Sequence, residues 1–143
     1  MTREEQFHKV FMNIAIEIST LSRAERRKVG CIIVKEGNII GLGFNGTPSG
    51  FDNCCEYLDE DNTLVTKPEV LHAESNALMK ACTSTQSTKD ADLYVTCEPC
   101  IECSKLIIQA KIKRVFYHES YRKHEGLELL RRTDIEVIQI YDE

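Results

Sequence analysis

His72-Ala73-Glu74 is answered, 25 residues further on, by Pro99-Cys100-Ile101-Glu102-Cys103. Zinc takes imidazole nitrogen and thiolate sulfur, and a catalytic zinc keeps one corner of its tetrahedron open for water. His72, Cys100 and Cys103 supply three ligands of that softness. The two cysteines are three apart at the expected start of a helix, so they share a face, and the positive helix end favours their thiolate forms. Glu74 can stay off the metal yet beside a bound water, accept its proton and pass it to a leaving group. The four residues therefore read as a hydrolytic zinc site. A lone His-x-Glu is usually a solvated pair, and a lone Cys-x-x-Cys can be a redox dithiol. A zinc-stabilised binding module without catalysis is the rival reading, but a structural site has no use for an unliganded carboxylate.

The elements that must hold these residues follow from periodicity. Phe7, Val10, Phe11, Ile14 and Ile18 keep helical spacing, which predicts an amphipathic helix from Thr2 to about Thr20. Val29 to Val34 and Ile39 to Phe44 form a hairpin across Lys35-Glu36-Gly37-Asn38. Phe51 to Lys67 is acidic and aperiodic and is expected to be a loop or short insertion. Val70, Ala73, Ala77, Leu78 and Ala81 predict an inward-packing helix with His72 and Glu74 in its first turns. A strand at 91–96 leads into Cys97-Glu98-Pro99-Cys100 and a helix from about Cys100 to Ala110, with Pro99 tolerated at its start. A strand at 113–117, a helix including 127–132 and a strand at 135–140 complete the chain. Alternating strands and helices demand parallel crossovers. The expected architecture is α/β, a mixed five-stranded sheet with helices on both faces, in one domain spanning 1–143.

With 143 residues, 42% of them hydrophobic, one core is affordable. The sequence has no apolar run of membrane-spanning length and starts with a polar Thr2-Arg3-Glu4-Glu5-Gln6, so a cytoplasmic protein is expected and a membrane partner is not. In a reducing compartment the odd count of seven cysteines fits thiols and metal better than disulfides. Eighteen basic against 23 acidic side chains give a net charge of −5, which argues against long nucleic acid as partner. A small anion needs only a local cluster, and Arg23, Arg26, Arg27 and Lys28 offer one. Clustered charge is more often a solvated loop. The loop Asn45-Gly46-Thr47-Pro48-Ser49-Gly50 can aim amides at a ligand, although such residues are above all turn formers.

His-x-Glu with Pro-Cys-x-x-Cys is the signature of the zinc deaminases of nucleobases. Together with Val29-Gly30-Cys31, the Gly43-Phe44-Asn45-Gly46-Thr47-Pro48-Ser49-Gly50 loop and Leu106-Ile107-Ile108-Gln109-Ala110, it makes the chain resemble the deoxycytidylate (dCMP) deaminase family, phage members included, from about Phe7 to Ile140. The resemblance implies a three-layer α-β-α cytidine deaminase-like fold and conversion of dCMP to dUMP and ammonia, supplying dUMP for thymidylate synthesis. It implies zinc on His72, Cys100 and Cys103, attack of water at C4 of cytosine, and Glu74 as the proton carrier. Asn45 would contact the sugar, Ala73 would line the substrate site, and Arg26, Lys28 and Tyr121 are the candidates for the 5′ phosphate. Deamination of another free nucleoside, nucleotide or base is the alternative.

Family members of this kind are hexamers activated by dCTP and inhibited by dTTP, each bound with Mg2+. The corresponding loop here is Gly43, Phe44, Asn45 and Gly46, with Phe44 replacing the family's tyrosine and losing its hydroxyl. Some members also carry a second, structural zinc. Cys54 and Cys55 with His8 are the candidate donors, against the simpler reading of small thiols in a loop or core. The cytoplasm expected above is that of the host if the protein is phage-encoded.

Overall fold

The computed structural model describes residues 1–142. Helix α1 (Arg3–Ser19) opens on a capping box in which Thr2 accepts from the Glu5 amide and Glu5 returns the bond, satisfying two amides that a helix start leaves bare. Strands β1 (Gly30–Lys35) and β2 (Asn38–Phe44) pair antiparallel. After a small hairpin of β3 (Glu56–Leu58) and β4 (Leu64–Thr66), the chain runs α2 (Ala73–Cys82), β5 (Asp92–Cys97), α3 (Ile101–Gln109), β6 (Arg114–Glu119), α4 (Glu125–Arg131) and β7 (Glu136–Gln139).

Five strands make one sheet in the order β2-β1-β5-β6-β7. The pair β1–β5 is antiparallel, while β5–β6 and β6–β7 are parallel, as the mixed sheet requires. Alternation along β1 sends Ile32 and Val34 to the face under α1, where they meet Met12, Ala15, Tyr94 and Phe116. Cys31 and Ile33 point the opposite way, onto Ala73, Ala77, Leu78 and Ala81 of α2, Ile107 of α3, and Leu127 and Leu130 of α4. The result is three layers, with α1 on one face and the other three helices on the second. The expected class and element order hold.

Two differences have physical reasons. The segment 51–67 carries the β3–β4 hairpin, whose three-residue strands are too short for alternation to register in sequence. Strand β6 runs on to Glu119, because Cys97 at the end of β5 offers it a partner.

Gly43 is where the sheet meets α2. A Cβ there would stand 2.5 Å from the Ala77 nitrogen and 2.7 Å from the Ala73 oxygen, so only glycine lets β2 lie this close to the helix that carries Glu74.

Candidate active site

Residues distant in sequence gather where β5 and β6 end and β1 begins. Gly30 N–H donates to Thr96 Oγ1 at 3.1 Å, joining the first and fifth strands at that edge. Two helices start there, and each begins on a candidate ligand. His72 is the N-cap of α2 and Cys100 the N-cap of α3, and neither side chain caps its own helix. Both are thereby free to face a metal. Cys103, one turn into α3, is 2% exposed.

His72 Nδ1 lies 3.4 Å from Cys100 Sγ and 3.3 Å from Cys103 Sγ, and the three donor atoms all fall within 4.8 Å of one another. Zn–N of about 2.05 Å and Zn–S of about 2.3 Å at tetrahedral angles put N and S roughly 3.6 Å apart. The donor set fits zinc. Among the described residues it is the one such cluster of three.

The electrostatics suit it. The Cys103 thiol donates to Cys100 and, being buried as well, holds its proton far above the usual thiol range. Receiving that bond and one from His72 brings Cys100 down to about 3. Contact with the Cys100 thiolate raises His72. A cation bound here must displace the proton that Cys103 holds and any on His72, so metal uptake releases protons. Glu74, in the first turn of α2, is 5% exposed, and burial pushes its carboxyl up to about 7. A group poised near neutrality can both take and give a proton.

His72, Cys100 and Glu74 open onto a cavity of about 420 Å³, with Cys103 buried outside its wall. Its wall includes His72, Ala73, Glu74, Cys100, Asn45, Arg26 and Tyr121, so most of the residues expected from sequence do meet. Ala73 is the first residue of α2, where amides lack intrahelical acceptors. Asn45 is partly committed: its Oδ1 accepts the Val29 N–H at 2.9 Å and its Nδ2 donates to the Arg27 oxygen at 2.7 Å. One amide hydrogen and one lone pair remain.

Lys28 is exposed and lies outside the wall. Its neighbours Arg26, Arg27 and Val29 all line the cavity. Arg27 and Arg122 stand where Lys28 was expected. The Arg27 guanidinium lies over the Tyr121 ring, 5.5 Å from its centroid, and pairs with Glu119 at 3.0 Å. Arg26 Nη1 donates to Thr66 Oγ1 at 3.1 Å, and Glu56 Oε2 accepts the Glu25 and Arg26 amides at 2.9 and 3.2 Å. The β3–β4 hairpin thus carries the basic segment. Turn formers at Asp59 to Asn62 between Glu56-Tyr57-Leu58 and Leu64-Val65-Thr66 were the available signal for it; Arg122, in an aperiodic stretch, had none.

The loop residues expected to bind regulators divide. Phe44 and Gly46 line a second cavity of about 470 Å³ with Arg23 and Lys80, whose ammonium lies 5.6 Å from the Phe44 ring centroid. Gly43 serves helix packing, and Asn45 faces the first cavity. The second zinc set is not assembled. His8 stacks on Phe116 under α1 with its Nδ1 2.6 Å from Tyr94 Oη, and the Cys54 and Cys55 thiols turn back to the Glu56 and Asn53 carbonyls.

Residues 5–119 match the cytidine and deoxycytidylate deaminase zinc-binding region. The deoxycytidylate deaminase of Enterobacteria phage T4 is 32% identical over 90% of this chain and 87% of its own. That of Saccharomyces cerevisiae is 37% identical over 90% of this chain, which spans 43% of the longer yeast protein. Among solved structures, the dCMP deaminase of cyanophage S-TIM5 in complex with dCMP and dUMP superposes with a TM-score of 0.88 at 43% identity, covering 98% of this chain and 99% of that one. With a His/Cys/Cys cluster that could hold a metal, a buried glutamate beside it and the family's zinc-binding region matched, the chain belongs to the deoxycytidylate deaminase family.

Proposed function

We propose that the protein converts dCMP to dUMP with release of ammonia. One observation carries the reading: a single cavity is lined by His72, Cys100 and Glu74 and also by Arg26, Arg27, Arg122 and Tyr121. Its volume suits a small ligand. The guanidinium groups suit a phosphate, which they grip through paired N–H donors. They also disfavour an uncharged nucleoside or base as the preferred substrate.

Held by His72, Cys100 and Cys103, zinc supplies a Lewis-acidic position at which water loses a proton near neutral pH. Glu74 would take that proton as the water oxygen bonds to C4 of the cytosine, deliver it to N3, then take the remaining hydroxyl proton and give it to the amine, which leaves as ammonia while the C4 carbonyl forms. Its enclosure keeps bulk water from levelling its basicity. Asn45 directs its remaining amide hydrogen and lone pair to the sugar, and the arginines hold the phosphate. Incubating zinc-loaded protein with dCMP should cause loss of cytosine absorbance with one ammonia per uracil formed; an unchanged spectrum would reopen the binding-module reading.

The same reading extends to regulation. The cavity of Phe44, Gly46, Arg23 and Lys80 offers two cations and an aromatic ring to dCTP as activator and dTTP as inhibitor, each with Mg2+. Adding dCTP or dTTP to the dCMP assay, with and without Lys80→Ala, tests it; rates blind to both nucleotides would refute it. A hexamer in the cytoplasm supplying dUMP for thymidylate synthesis completes the proposal, and light scattering on the purified protein tests the assembly.

A further inference from the structure

Glu98 lies on the short path from β5 to the ligand Cys100, and its side chain is 0% exposed. An enclosed carboxylate is unfavourable unless donors meet its lone pairs. Here the donors come from one place, the irregular stretch 120–124 after β6. Glu98 Oε1 accepts the Tyr121 N–H, and His124 Nδ1 lies 3.0 and 3.1 Å from the two carboxylate oxygens. The tautomer with its proton on Nδ1 satisfies both.

Both ends of that stretch rest on the same path. The Glu98 N–H donates to the Glu119 oxygen at 2.9 Å, and Cys97 pairs with Glu119 in the parallel ladder. Gly126, in the first turn of α4, sits so close to the Pro99 oxygen and the Cys100 carbonyl carbon that a Cβ there would collide with both. Between these anchors the chain has no helix or strand of its own, yet it presents Tyr121 and Arg122 to the substrate cavity. Glu98 is the side chain that joins its middle to the zinc-ligand loop.

We propose that Glu98 is a positioning residue for substrate, fixing Tyr121 and Arg122 against the zinc-ligand loop so that they meet a 5′ phosphate while the base lies at Glu74. The inference rests on the reading of a phosphate-bearing substrate. Glu98 then sets the distance between the reacting end of the nucleotide and its anchor, and its loss weakens binding more than the chemical step.

The experiment compares kcat and KM for dCMP and for deoxycytidine in zinc-loaded wild type, Glu98→Ala, Glu98→Gln and His124→Ala, with zinc content measured for each. Glu98→Ala should lower kcat/KM for dCMP at least tenfold more than for deoxycytidine, with the loss in KM and about one zinc per chain retained. Glu98→Gln keeps an acceptor for the Tyr121 N–H and should recover part of that loss. His124→Ala, which removes only the half-exposed partner, should raise KM for dCMP a few-fold. Should Glu98→Ala fail to fold, the other two variants decide. Equal losses on both substrates, or a ratio unchanged from wild type, would overturn the role. A wild type indifferent to the phosphate would defeat the substrate reading, and this inference with it.

Discussion

His72 Nδ1 and Cys103 Sγ stand 3.3 Å apart although 31 residues separate them in sequence. The contact exists because α2 and α3 both start at the end of β5 and deliver their first side chains to one point. Neither helix spends its ligand on capping. Removing one donor leaves two, too few to hold a catalytic zinc with an open position. Cys103→Ala should therefore lose zinc and activity together, read by metal analysis and the dCMP assay; full zinc occupancy would show that another donor holds the metal.

Glu74 is proposed to have a different task from His72, two residues back. Glu74→Gln keeps shape and burial but cannot accept a proton. Turnover should fall on the order of 10² to 10⁴-fold, the span of general acid–base contributions, while zinc stays bound. Loss of the metal in this variant would make Glu74 a ligand instead.

Gly43 separates packing from chemistry. Gly43→Ala places a methyl against the α2 backbone and should destabilise the fold by about 1–3 kcal/mol, as overpacking does. Activity should fall with it, since α2 carries Glu74. Chemical denaturation measures the first effect, and an unshifted midpoint would mean that β2 and α2 lie further apart.

Cys97 lies in the cavity wall, yet burial raises its thiol to about 11 despite the Arg27 charge that opposes the shift. At pH 8 only about one molecule in a thousand holds it as thiolate, the form that alkylates. Exposed Cys54 and Cys82 should react first. Cys97 labelling should rise about tenfold per pH unit toward pH 10, followed by mass spectrometry on mapped peptides. Labelling at pH 8 as fast as that of Cys82 would contradict the placement.

The proposed catalytic half of the site was legible because its chemistry dictates residue types at short spacing. His72, Glu74, Cys100 and Cys103 lie in two segments, and helical periodicity places both at helix starts. Apolar runs of strand length, alternating with helices, likewise pointed to the five-stranded sheet. The proposed phosphate half was less legible, because it is made of long side chains whose direction depends on tertiary contacts. Arg27 and Lys28 are adjacent and alike in charge, and only the folded course of the backbone, held by Asn45 at Arg27 and Val29, decides that the first faces the cavity. Glu56 and Glu98 read as ordinary acidic residues until their carboxylates are seen enclosed, each taking backbone amides from a segment that lines the cavity.

The most direct test of a nucleotide-specific deaminase is the ratio of kcat/KM for dCMP to that for deoxycytidine in the zinc-loaded protein. Two charge-assisted hydrogen bonds to the phosphate, at about 1.5 kcal/mol or more each, give a preference of about a hundredfold or greater. The expected result is that preference for dCMP, with dUMP and ammonia formed in equal amounts. Equal turnover of the two substrates, or none of either, would contradict the account.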